Sequence, residues 1–276
     1  MRIAESLTPP APLATLPQRH RASRLGHTLL WLPRVDSTNR WMRDWASQGA
    51  AEGCVLVADA QDRGRGRHGR AWESPAGLGL YCSLLLRPRL APSRLGVLTL
   101  SAGVAAAEAV RRVTRVPALL RWPNDLMCGG RKLGGILAEG VARRGRQEHV
   151  IVGWGLNIGQ RRSDFALSLR GRATSLALEG ARSQRRETIL HAFLVSLERR
   201  LMELEAGASD RVLARFEALS PSSSGAALLV QLDGRRRRAI SRGLARDGSL
   251  RIDLPEGSRQ LRTAEVLRIL ECRPCC

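Results

Sequence analysis

The stretch Gly64–Gly69, GRGRHG, constrains the fold more than any other part of the chain. It fits the G-x-G-x-x-G pattern and follows a predicted strand, Cys54–Asp59, as half of a dinucleotide-binding fingerprint would. That fold then needs a helix to receive the pyrophosphate, and an acidic residue about twenty positions on. Here Trp72, Pro75 and Gly77 come next, and the acidic position falls in the apolar run Ser83–Leu86. A doubly wound nucleotide fold is excluded. A phosphate P-loop is excluded too, because Lys132 is followed by Leu133 instead of Ser or Thr.

The loop needs another explanation. Arg63, Arg65, Arg67 and Arg70 are interleaved with Gly64, Gly66 and Gly69. Glycines carry a large ordering entropy, and adjacent guanidiniums repel one another. A bound anion would neutralise the charge and let the bare backbone wrap it, so the loop is expected to be disordered when empty and to order over a phosphate-bearing ligand.

The chain has 45 Lys plus Arg, and Lys132 in GGRKLGG is the only lysine. A compact, rotatable ammonium does what a planar guanidinium cannot, so Lys132 is either a candidate catalytic residue or one survivor of arginine bias, and the rest of the chain decides between them. Gly129-Gly130 before it reads as a tight hairpin. In GWGLNI, a period of two puts Gly153, Gly155 and Asn157 on one strand face, a bare surface for a flat ligand.

Predicted strands recur at Thr28–Val35, Cys54–Asp59, Gly79–Leu86, Ala118–Trp122, Lys132–Glu139 and His149–Ile158. Helical patterns lie at Asp36–Gly49, at Ser93–Val113 with Ser93 as cap, at Arg185–Ala206 and at Ser209–Leu219. Pro221–Gly225 reads as a linker. Short strands follow at Ala226–Leu232, Arg237–Leu244, Ser249–Asp253 and Gln260–Thr263, with turn signals at Asp233-Gly234 and Asp247-Gly248. The expected class is α+β: a mixed or antiparallel central sheet with flanking helices, then a small all-β domain. Residues 1–27, broken by four prolines, are expected to be a frayed tail; residues 28–220 and 226–271 form the two domains.

A charge of +20 invites a nucleic-acid role, but the arginines are scattered and aromatics are only 4%, too few for a stacking platform. Cys54, Cys82 and Cys128 sit singly in apolar strands as reduced small hydrophobes, and the CRPCC tail falls short of a zinc site. No apolar run is expected to reach the roughly 20 residues that span a bilayer. Without a signal-peptide core, the cytoplasm is the expected compartment.

Together, DSTN (Asp36–Asn39), QDRGRGRHGRAW (Gln61–Trp72), RWPND (Arg121–Asp125), GRKLGGIL (Gly130–Leu137) and GWGLNI (Gly153–Ile158) resemble the biotin protein ligases in order and spacing. The resemblance implies a class II synthetase-like catalytic domain with an SH3-like C-terminal barrel. The implied substrates are biotin and ATP, with Mg2+, and the implied partner is a biotin carboxyl carrier protein or domain. Specific DNA binding and membrane attachment are not expected; a homodimer is left open. The implied catalytic residues are Lys132, Arg67 and Asp125. Asp125 is left between assisting attack by the acceptor lysine and holding magnesium, and no metal ligands are assigned. On the biotin side the resemblance places Ser37, Thr38, Asn39, Gln61, Gly64, Arg65, Arg67, Lys132, Gly135, Gly153 and Gly155. On the nucleotide side it places Arg65, Arg67, Arg70, Trp72 (against adenine), Arg121, Asn124, Lys132 and Asn157. Arg121 departs from the family's usual lysine. With 27 residues before the first strand, the chain is expected to be the enzyme-only type, without an N-terminal helix-turn-helix. A lipoate or octanoate ligase of the same fold, and a nucleic-acid-binding regulator, are the alternatives.

Overall fold

The computed structural model describes residues 11–143, 146–262 and 265–271. The cysteine tail, Cys272, Cys275 and Cys276, lies outside them, as does Thr263.

In chain order the elements are α1 (Ala11–Ala14), α2 (Leu16–Arg19), β1 (Thr28–Val35), α3 (Thr38–Ser47), β2 (Cys54–Gln61), β3 (Gly79–Leu86), α4 (Leu95–Thr114), β4 (Leu119–Arg121), β5 (Asp125–Cys128), β6 (Arg131–Arg143), β7 (Arg146–Asn157), α5 (Arg186–Glu205) and α6 (Ser209–Leu219). The C-terminal part adds β8 (Ser224–Leu232), β9 (Arg235–Leu244), β10 (Leu250–Leu254), β11 (Gly257–Leu261) and β12 (Glu265–Glu271). The first sheet has seven strands in the order β1-β2-β3-β7-β6-β5-β4. Only β1 and β2 run parallel, so the sheet is mixed. The second sheet runs β11-β10-β9-β8-β12 and is antiparallel throughout.

Alternation along β7 organises the core. Val152 and Trp154 point to the face covered by α4 and α5, where the Trp154 ring meets Phe193 with centroids 4.5 Å apart. Ile151 points the other way, into a smaller cluster under Met42 and Ala46 of α3. Gly153 and Gly155 share that second face, and there the candidate site opens.

Several expectations need correction. The frayed tail fails from residue 13 on: Leu13, Leu16 and Leu25 are buried in the main core, and His20 Nε2 lies 2.8 Å from His191 Nδ1 on α5. The prolines misled because Pro12 and Pro17 sit in the first turns of the short helices α1 and α2, where a missing N–H costs no helical bond. Helix α4 is capped by Arg94, not Ser93, behind a 3-10 turn at Pro92–Arg94. The stretch Pro92–Thr114, 23 residues containing an 18-residue window of mean hydropathy 1.2, is long and apolar enough to cross a membrane by length and composition, contrary to expectation. Its apolar window is 67% buried against the rest of the chain, as a core helix is. The linker at 221–225 is no free tether: Pro221–Ser223 form a 3-10 turn in which Ser222 and Ser223 are buried. Strand β12 has no counterpart among the expected strands, and β5 was expected only as the apolar run that holds Cys128.

Candidate active site

The site is built where strands end and helices begin. Ser37 is the N-cap of α3, yet its hydroxyl makes no capping bond, which leaves the oxygen for a ligand. The next residue is fixed instead: Thr38 donates from its backbone N–H (2.8 Å) and its hydroxyl (3.1 Å) to Gln61 Oε1 at the end of β2. Gln61 Nε2 in turn donates to Ser74 Oγ at 2.8 Å. The next residue of α3, Asn39, is buried and fully engaged. It accepts from Ser83 Oγ at 2.6 Å and donates to Glu139 Oε2 at 2.8 Å. Glu139 also holds Arg43 at 2.9 Å and has Arg65 of the arginine-glycine loop at 3.9 Å.

The bare strand face is real, but two side chains partly fill it. A Cβ on Gly153 would fall 2.2 Å from Asn39 Oδ1, and one on Gly155 would fall 2.6 Å from Trp72 Nε1. Gly155 also pairs with Gly135 across β6 and β7, so two glycines lie side by side on the floor. Asn157 is buried with its amide committed: Nδ2 donates to Thr174 O at 2.9 Å, and Oδ1 accepts from Gln160 at 3.2 Å. It braces the wall.

The loop folds back on itself. Trp72 N–H donates to Gly64 O at 2.9 Å and Gly66 N–H to Arg70 O at 2.7 Å. A Cβ on Gly64 would sit 2.3 Å from Trp72 O, so this close approach requires glycine. Of the site residues that the resemblance implied, Gly64 alone does not line the cavity; it closes the loop's base instead. The others surround a single cavity of about 270 Å3.

Lys132 enters from the β5–β6 hairpin, whose turn residues Gly129 and Gly130 have φ of 52° and 73°, as a tight primed turn requires. Its backbone is clamped from outside the sheet: N–H donates to Arg172 O at 2.7 Å, and its carbonyl accepts from Thr174 at 2.9 Å. Nζ lies 2.5 Å from Asp125 Oδ1 and 5.4 Å from the Trp72 ring centroid. Arg121 takes the other Asp125 oxygen at 2.5 Å. Burial pushes the Asp125 carboxyl up, but Lys132 and Arg121 outweigh it and hold the group below its ordinary value. Asn124 is anchored by its Nδ2 donating to Ile136 O at 2.7 Å.

The sequence reading missed the segment from Gln160 to Ala173, from which Phe165, Leu169 and Arg172 line the cavity. This is irregular chain with no period to detect. Its only signal was proximity to the GWGLNI strand.

A family model described as the biotin/lipoate A/B protein ligase family matches residues 31–157. The bifunctional ligase/repressor BirA of Bacillus subtilis (strain 168) is 35% identical over 176 residues, 64% of this chain and 54% of its own length. The chain therefore spans about half the length of that relative. The biotin–[acetyl-CoA-carboxylase] ligase of Mycobacterium tuberculosis is 35% identical over 219 residues, 78% of this chain and 77% of its own. Among solved structures, the biotin protein ligase from Aquifex aeolicus in complex with biotin and ATP superposes with a TM-score of 0.74 at 30% identity, covering 87% of this chain and 99% of that one.

Proposed function

The chain belongs to the biotin/lipoate A/B protein ligase family, and on that premise we propose that it activates biotin with ATP and transfers it to the ε-amine of one lysine on a biotin carboxyl carrier protein or domain. The observation that carries this reading is the placement of the only lysine. It lines the same cavity as Ser37, Thr38, Gln61 and Gly153 and as Arg65, Arg67 and Arg70 of the arginine-glycine loop, with its ammonium paired to Asp125.

In the first step a biotin carboxylate oxygen bonds to the α-phosphorus, and the bond to the bridging oxygen of pyrophosphate breaks. Two anions meet, and the Lys132 ammonium lies where it can bridge them, electrostatic stabilisation by a preorganised charge. Asp125 and Trp72 fix that charge in place. In the second step the acceptor amine attacks the carbonyl carbon of the mixed anhydride, AMP leaves, and the amine proton passes to solvent. Both Asp125 oxygens are paired with cations, so Asp125 has the part of positioning Lys132 and is not assigned the acceptor's proton.

Nor does Asp125 suit magnesium, since both its oxygens are taken by cations. Among the described residues no group of three or more His, Cys, Asp or Glu could hold a metal. Magnesium would arrive on the ATP phosphates, as is usual for that ion. Closure of the arginine-glycine loop over the adenylate, the SH3-like character of the C-terminal sheet and a cytoplasmic site of action are parts of the same proposal. ATP–pyrophosphate exchange tests it: exchange should require biotin, and biotin-independent exchange would overturn the reading.

A further inference from the structure

A second concavity lies on the opposite side of the molecule. It is an open groove of about 670 Å3 along the outer surface of α4 and α5, the helices that cover the Trp154 face of the sheet. The candidate active site opens on the Gly153 face. Five guanidiniums line the groove: Arg111, Arg112 and Arg115 at the end of α4, Arg199 on α5 and Arg215 on α6. Arginine makes up about one residue in six of this chain, so twelve lining residues drawn at random would include two. The excess needs a cause beyond composition.

The one carboxylate there, Glu108, is already saturated. It holds Arg199 at 3.1 Å, Arg200 at 2.9 Å and Arg215 at 2.9 Å, and accepts from Ser196 Oγ at 2.7 Å. Arg112 and Arg115 have no acidic partner among the described residues. A concave surface of one sign concentrates counter-ions, and guanidinium forks match phosphate oxygens two at a time. The volume falls within the usual range of about 300–1,000 Å3 for small-ligand sites. The groove offers no aromatic platform on which bases could stack.

We propose that this groove is a binding site for a small polyphosphorylated anion, separate from the catalytic cavity. Sodium tripolyphosphate is the probe, titrated calorimetrically into the full chain at low salt. The chain should bind two equivalents, one in each concavity. Arg112→Ala/Arg199→Ala leaves Glu108 held by Arg200 and Arg215, so the fold is expected to persist, with adenylate formation within about twofold of the parent. This variant should lose one equivalent or bind it at least tenfold more weakly, while Arg67→Gly should weaken only the other. ATP as a second titrant distinguishes a nucleotide from free polyphosphate, and either result supports the site. Unchanged stoichiometry and affinity in the double variant would overturn the proposal. So would a groove that takes up a duplex oligonucleotide but no tripolyphosphate, because the partner would then be nucleic acid.

Discussion

Replacing Lys132 by Arg keeps the charge and changes only its shape. The ammonium is half-buried and closely partnered: Asp125 Oδ1 is 2.5 Å from Nζ, and the Trp72 ring centroid is 5.4 Å away. An arginine fork there must reach Asp125, whose second oxygen Arg121 already holds at 2.5 Å. Two guanidiniums would then compete for one carboxylate, and the new one would be drawn away from the reacting oxygens. Losing one preorganised donor of this kind costs about 2.7–4 kcal/mol, a fall of about 10²–10³ in rate. Folding should survive, because the bonds from residue 132 to Arg172 and Thr174 are made by its backbone. The assay is pyrophosphate release from biotin and ATP, beside a thermal melt that should move by only about 4 °C or less. Turnover near the parent value in a folded variant would refute the reasoning.

Gly153→Ala should displace Asn39 and loosen the network through Glu139; a higher KM for biotin, with kcat falling less, is expected from steady-state kinetics. Asp125→Asn leaves Lys132 and Arg121 without their shared anion, and with Lys132 partly exposed the loss should be about 2–3 kcal/mol by urea unfolding. Because the folded-state pKa of Asp125 is depressed, that difference should stay constant above the ordinary value of 3.8 and shrink only as pH falls below it. Arg67→Gly should release adenylate that labels lysine-rich bystanders. The variant itself should stay almost unlabelled, since Lys132, its one side-chain amine, is ion-paired; several biotin additions in the intact mass would contradict this.

The strands and the site motifs were legible because each carried a local rule. Alternation marked β7 and its bare face, and Gly129-Gly130 marked the turn that delivers Lys132. The illegible parts depend on contacts between distant segments. Asn157 was legible as a residue of the bare face, but its partners Thr174 and Gln160 were not. Trp72 was legible as the end of the arginine-glycine loop, but its place against Gly155 and near Lys132 was not. Prolines made residues 13–25 look frayed, yet Leu16 and Leu25 find a core supplied by other parts of the chain. Strand β5 is four residues long, too short for a period to show.

The central claim is that this cavity activates biotin in particular, and acid selectivity tests it most directly. The purified chain is given ATP with biotin or with lipoate, and pyrophosphate release is followed for each acid. A carrier domain is then added with its acceptor lysine intact or changed to arginine. The account predicts pyrophosphate with biotin alone, and a biotin adduct only on the carrier that keeps its lysine. Equal or faster release with lipoate, or a biotin adduct on the arginine carrier, would contradict it.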